Sequence, residues 1–187
     1  MSRATTDGWA PSASSISDWY PSRTVTLLWQ VVGTGLFFLG IGLFAAVNGG
    51  EGAVAIAGTL GLLLLLMVLH EAVHGAVMRR CGATPTYGVG VMYRLLPYFY
   101  CTAAGFRFSR RQFIAVSLAP LLAVSLLGAL VVAVAPGGEW LVIPLAAHLG
   151  GCIGDLWGTA LTLRQPPGTL VEDLKTGMRF YRPTVSA

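Results

Sequence analysis

"GLLLLLMVLHEAVHGAVMRR", residues 61–80, decides which folds this chain can adopt. Five consecutive leucines precede two histidines and a glutamate, and two arginines end the stretch. The apolar run predicts a membrane-spanning helix, because about 20 helical residues cross the hydrocarbon core of a bilayer. The histidines and the glutamate would then lie inside the membrane, where a charged side chain costs about 3 kcal/mol or more.

The whole chain shares this apolar character. Of its 187 residues, 55% are hydrophobic and only 11% are charged, which is outside the range of soluble domains. Four stretches are long enough to cross a bilayer. We therefore expect an all-α membrane protein whose four transmembrane helices form one domain, residues 24–163. The expected helices span residues 24–47, 52–78, 113–135 and 140–163.

The distribution of charge predicts the orientation of this bundle. The net charge is +4, and all twelve basic residues lie in the N-terminal segment, in the segment between helices 2 and 3, or in the tail. By the positive-inside rule, both termini and that segment face the cytoplasm of a multi-pass cell-membrane protein. The basic surplus also favours contact with anionic lipids of the bilayer. No nucleic-acid motif accompanies it, so no nucleic-acid partner is expected.

The segment between helices 2 and 3 does not resemble a helix. Residues 83–105 contain β-branched and aromatic residues around two glycines, which predicts a cytoplasmic β-hairpin with its turn near residues 94–97. The hairpin either packs on the bundle or offers a strand edge that pairs with an extended substrate.

The termini carry weaker patterns. Residues 1–23 are rich in Ser, Thr and Pro, which predicts a flexible cytoplasmic segment. In the tail, residues 164–187, the spacing of Thr169 and Glu172 is that of a capping box and predicts a short interfacial helix. The three cysteines are odd in number, so structural disulfides are not expected.

The histidines of the opening stretch have the spacing of metal ligands. His70 and His74 are four residues apart on the predicted helix, so both rings lie on one face and can bind one ion. Glu71 is turned by about 100° from His70, where a general base for a metal-activated water belongs. The alternative is polar packing inside a bundle. The bilayer disfavours that alternative, because ionisable residues in spanning helices usually mark function.

A catalytic zinc usually has three protein ligands, and predicted helix 4 offers two candidates for the third. Asp155 lies nine residues before Arg164, and His70 lies nine residues before Arg79. Both side chains are thus about 13 Å from the cytoplasmic edge, which favours Asp155 as the third ligand. His148 would lie about 10 Å further out. There it would bind substrate, orient a ligand or stabilise an oxyanion, or replace Asp155 if the helix bends.

With these residues assembled, the chain resembles the zincin peptidases of a family catalogued as a domain of unknown function, and more distantly the site-2 proteases. The resemblance covers about residues 60–160. It rests on "HEAVHG", the aromatic loop, "LAP" at 118–120 and "GGCIGD" ending at Asp155. It implies a zinc site formed by His70, His74 and Asp155, with Glu71 as the base. Unlike in site-2 proteases, Asp155 is followed by leucine rather than glycine.

The residues favour a membrane-embedded zinc metalloprotease that cleaves membrane or membrane-adjacent segments of other proteins. In this hypothesis Glu71 and His148 are the catalytic residues, and Zn²⁺ or another late divalent ion binds His70, His74 and Asp155. The alternative is a divalent-metal transport or sensor protein that uses the same ligands without hydrolysis. A third hypothesis, an inert membrane scaffold, predicts no bound metal.

Overall fold

A computed structural model describes residues 15–29, 31–32, 35, 42, 52–92 and 96–183. Residues 23–29 are helical and are called α1. The remainder of the helix predicted over residues 24–47 lies almost entirely outside the described residues. Further along the chain are α2 (Gly52–Arg80), α3 (Arg110–Val134), a 3₁₀ helix (Gly138–Leu141), α4 (Val142–Gly151) and α5 (Ile153–Leu163).

Three helical stretches are long and apolar enough to cross a membrane: Ala57–Arg80, Arg110–Val134 and Gly138–Leu163. They are compatible with a membrane protein and correspond to predicted helices 2, 3 and 4. The third stretch is not one continuous helix, because α4 ends and α5 begins at Cys152. At this break the amide of Cys152 donates to the carbonyl oxygens of His148 and Leu149.

The all-α prediction is wrong, because the chain also forms two antiparallel β-sheets. A two-stranded sheet pairs β2 with β3, and a four-stranded sheet has the order β1-β6-β5-β4. The hairpin expected between helices 2 and 3 is confirmed as the two-stranded sheet. The strands are β1 (Ser15–Trp19), β2 (Thr86–Met92), β3 (Leu96–Thr102), β4 (Arg107–Ser109), β5 (Leu170–Leu174) and β6 (Gly177–Arg182).

The short helix predicted in the tail is also wrong. Residues 170–174 and 177–182 form a β-hairpin, in which Met178 and Phe180 alternate toward the core. Glu172 does not cap a helix; its carboxylate accepts from the Gly105 amide and from the Tyr181 hydroxyl. The period-two burial of apolar residues therefore outweighs the local capping signal.

The N-terminal segment was predicted to be flexible, and this is wrong for residues 15–19. They form β1, which pairs with β6 at the edge of the sheet. The guanidinium of Arg179 donates to the Asp18 carboxylate at 2.6 and 2.8 Å. These hydrogen bonds lower the pKa of Asp18. Residues 1–14 lie outside the described residues.

One apolar core joins the four-stranded sheet to the ends of two helices. Phe108 and Val171 are fully buried on the sheet, and they share a cluster with Met78 of α2 and Phe113 of α3. The two-stranded sheet packs on α2 at Gly75, where a Cβ atom would overlap the hydroxyl of Tyr87. The sheets therefore lie against the same end of α2 that carries the histidines.

Replacing Phe108 by alanine is expected to lower the unfolding temperature of the detergent-purified protein. The loss of a fully buried phenylalanine costs about 3–5 kcal/mol, because a cavity remains in the core. The matched control is Val134→Ala, since Val134 is 71% exposed. Equal unfolding temperatures for the two variants would contradict this account of the core.

Candidate metal centre

Helices α2 and α5 bring three predicted ligands together. His70 Nε2 lies 3.0 Å from His74 Nε2 and 3.2 Å from an oxygen of Asp155. The other Asp155 oxygen lies 3.4 Å from His74 Nε2. Two nitrogens and a carboxylate from residues up to 85 positions apart in the chain thus converge on one point.

These separations fit a tetrahedral zinc ion. With bonds of about 2.0–2.1 Å, two donor atoms of such an ion lie about 3.3 Å apart. His74 is 8% exposed, and its Nδ1 atom donates to the Val116 carbonyl oxygen of α3 at 2.9 Å. That hydrogen bond leaves the lone pair of Nε2 directed at the convergence point, which is the usual arrangement for a histidine ligand.

His148 lies on the opposite side of the His70 ring. Its Nε2 atom is 3.1 Å from His70 Nδ1, and its side chain is buried. His148 is not among the described residues that line the cavity at the site. Of the roles considered for it, orientation of a ligand is the one that this position suits.

Cys152 also contacts these rings and was not predicted as a site residue. Its sulfur lies 3.9 Å from His70 Nδ1 and 3.8 Å from His148 Nε2. Its spacing of four from His148 could have indicated a shared site, since the same spacing relates His70 to His74. Two groups of possible metal ligands therefore share His70: one with His74 and Asp155, the other with His148 and Cys152.

A cavity of about 350 Å³ opens onto the first group of ligands. Glu71 lines it beside His70, and the backbone amide of Cys101 in β3 faces the Glu71 carboxylate. Burial raises the pKa of the Cys101 thiol to about 12, so this thiol stays protonated near neutral pH. The cavity walls come from α2, β3, α3, α5 and the β5–β6 hairpin, and Trp19 of β1 and Trp29 of α1 complete them.

Asp173 of β5 also lines the cavity, although its sequence pattern did not predict a site residue. Burial raises the pKa of its carboxyl to about 7, against the lowering influence of His74 and of a hydrogen bond from Thr102. No local pattern marks this residue, because only the pairing of β5 with its neighbours carries Asp173 to the site.

The family described as "Putative zincin peptidase" matches residues 63–170. The matched region contains the histidines of α2, the two-stranded sheet and Asp155, and it covers more than half of the chain. No curated protein and no solved structure matches the chain.

The metal content should depend on Asp155. In a Cys152→Ala background, which removes the neighbouring thiol, we expect about one zinc per purified chain by elemental analysis. Adding Asp155→Ala or His74→Ala should remove most of it, because two ligands hold zinc far less tightly than three. Adding Asp173→Asn should leave it in place. Full zinc content in the Asp155 variant would exclude this ligand set.

Asp173→Asn should change how thermal stability depends on pH in protein kept in EDTA. The folded-state pKa of Asp173, about 7, is above its ordinary value of 3.8, so the folded state binds the proton more tightly. Wild-type stability therefore falls as the pH rises from about 4 to 7, and the asparagine variant lacks that contribution. Asp18→Asn is the control and should keep the fall. Parallel wild-type and Asp173→Asn profiles would contradict the assignment.

Proposed function

We propose that this chain, which belongs to the zincin peptidase family, is a membrane-embedded metallopeptidase that cleaves membrane or membrane-adjacent segments of other proteins. The observation that carries the proposal is the convergence of His70, His74 and Asp155 beside Glu71 in one cavity. Both helices that supply these residues belong to stretches apolar enough to span a bilayer.

Zn²⁺ is the ion that the family and the donor set favour, and His70, His74 and Asp155 would hold it. When bound, zinc acts as a Lewis acid that activates water and polarises a carbonyl group. The Asp155 carboxylate would supply a negative charge that offsets the charge of the ion. The two imidazoles would bind as neutral ligands, and each has its Nδ1 atom near a hydrogen-bond partner.

Glu71 is the proposed general base. It follows His70 directly on α2, so its carboxylate lies beside the ligands and on the cavity wall. In the proposed mechanism Glu71 takes a proton from the attacking water and passes it to the leaving amine. His148 keeps the His70 ring in position through the contact between His148 Nε2 and His70 Nδ1.

The substrate is proposed to bind as an extended strand. β3 pairs with β2 on one side, and its residues 98–102 line the cavity next to the ligands. A peptide bond inside a helix is inaccessible, because its carbonyl is hydrogen-bonded and surrounded by side chains. An extended segment that lies along β3 would expose its backbone to Glu71 and the metal, as in other sheet-edge binders.

The site is proposed to lie in the cytoplasmic half of the bilayer. Arginines occur at the same end of all three candidate spans: Arg79 and Arg80 end α2, Arg110 and Arg111 begin α3, and Arg164 follows α5. The positive-inside rule assigns that end to the cytoplasm. A partner protein would therefore be cut near its cytoplasmic membrane boundary.

Glu71→Gln should abolish cleavage while zinc remains bound. Loss of a general base typically costs about 10²–10⁴ in rate. The measurement is mass spectrometry of new protein N-termini in host membranes incubated with the purified wild type or the variant. The control is Glu139→Gln, which changes an exposed glutamate in the 3₁₀ helix; this variant should cleave like the wild type.

If Glu71→Gln produces the same new N-termini as the wild type, in equal amounts, the proposed mechanism is wrong. If neither protein cleaves, zinc flux into liposomes that survives Glu71→Gln would instead support a metal transporter with the same ligands.

A further inference from the structure

A second group of metal-binding atoms lies directly behind the proposed peptidase centre. It consists of His70 Nδ1, His148 Nε2 and Cys152 Sγ. His148 is 5% exposed and Cys152 is 0% exposed. Neither residue is needed to complete the ligand set on the cavity side, where His70 acts through its other nitrogen.

We propose that His70, His148 and Cys152 form a second site for a thiophilic transition-metal ion, with Zn²⁺ as the biological case, and that its occupation inhibits the peptidase. The site itself stands on its own geometry. Only the inhibition rests on the proposed function.

The distances support coordination better than hydrogen bonding. For a tetrahedral zinc ion with Zn–N near 2.05 Å and Zn–S near 2.3 Å, nitrogen and sulfur lie about 3.6 Å apart and two nitrogens about 3.3 Å. The observed separations are 3.8 and 3.9 Å from sulfur to the two nitrogens, and 3.1 Å between the nitrogens. The three side chains would therefore need to move by only a few tenths of an ångström to coordinate the ion. As hydrogen bonds, the sulfur contacts are long and weak.

The donor set also selects the class of ion. A thiolate with two imidazoles is a soft set that suits zinc or copper and disfavours magnesium or calcium. The spacing of four between His148 and Cys152 places both side chains on one face near the break between α4 and α5. His70 then completes the set from α2.

Sharing His70 couples the two sites. With the first site alone filled, His70 Nδ1 keeps its proton and donates it to His148. Binding an ion at the second site releases that proton and the thiol proton to solvent, so two protons leave for each ion bound. His70 then bridges two cations as an imidazolate. The second ion takes the place of the orienting contact between His70 and His148, so the His70 ring shifts and binds the first ion less well.

The direct test is titration of the full-length, metal-free protein with Co²⁺, followed by absorption spectroscopy. A thiolate that binds Co²⁺ produces an intense sulfur-to-metal charge-transfer band in the near ultraviolet. We expect this band in the wild type and its loss in Cys152→Ala. Cys81→Ala, which removes a half-buried thiol at the end of α2, is the matched control and should keep the band.

Asp155→Ala separates the two sites, because it removes a ligand of the first site only. This variant should keep the thiolate band and lose the weaker visible bands of the first site. Cys152→Ala should keep those visible bands, which also shows that it is folded. A wild type without a thiolate band at excess Co²⁺, or a band that survives Cys152→Ala, would overturn the proposal.

The inhibitory role has its own readout. Excess Zn²⁺ should inhibit wild-type cleavage, and Cys152→Ala should raise the half-inhibiting zinc concentration at least about tenfold, as expected for the loss of a ligand. Equal inhibition of both proteins would refute the inhibitory role. If the wild type cleaves its substrates but shows no thiolate band with Co²⁺, only the second site is refuted. If it shows the thiolate band but cleaves nothing, only the proposed function is refuted.

Discussion

The cost of placing ionisable side chains among apolar helices is the constraint on which the rest of this structure depends. His70, His74 and Asp155 lie within candidate membrane spans, where each would be unfavourable alone. Their convergence within 3.4 Å lets one carboxylate interact with two imidazoles, and a divalent cation would satisfy all three. α5 packs mainly on α3, from which Asp155 reaches the histidines of α2, and the Nδ1 atom of His74 donates to the Val116 carbonyl oxygen of α3.

The two β-sheets lie outside the candidate membrane spans and hold in place the helices that carry the metal-binding residues. The core around Phe108 and Phe113 joins β4 to the start of α3, and Met78 joins the same core to the end of α2. The helices α2 and α3, which carry His70, His74 and the Val116 carbonyl, are therefore fixed to one sheet, and Leu161 of α5 packs against the same core. The hairpin of β2 and β3 reaches the cavity, because Gly75 lets Tyr87 approach α2. The β3 residues that line the cavity are thus held against α2 by this packing.

Shared use of His70 links catalysis and regulation in the proposed scheme. One ring nitrogen faces Asp155 and His74, and the other faces His148 and Cys152. Metal binding at His70 Nδ1 would therefore change the charge or the orientation of the His70 ring, which is a ligand of the first site. In the proposed peptidase, occupation of the second site would therefore control the first site through one shared ring.

The sequence alone predicted the helices over residues 52–78 and 113–135 and the β-hairpin, because apolar run length and strand pattern are local properties. It also predicted His70, His74 and Glu71 from their spacing on one helix, and Asp155 from its depth in the membrane. Only the tertiary structure decided the rest. The tail became strands because Val171, Met178 and Phe180 find a core that local capping signals cannot reveal. Asp173 and Cys152 reached the site through strand pairing and a helix break, and the position of His148 behind His70 depends on how two distant helices pack.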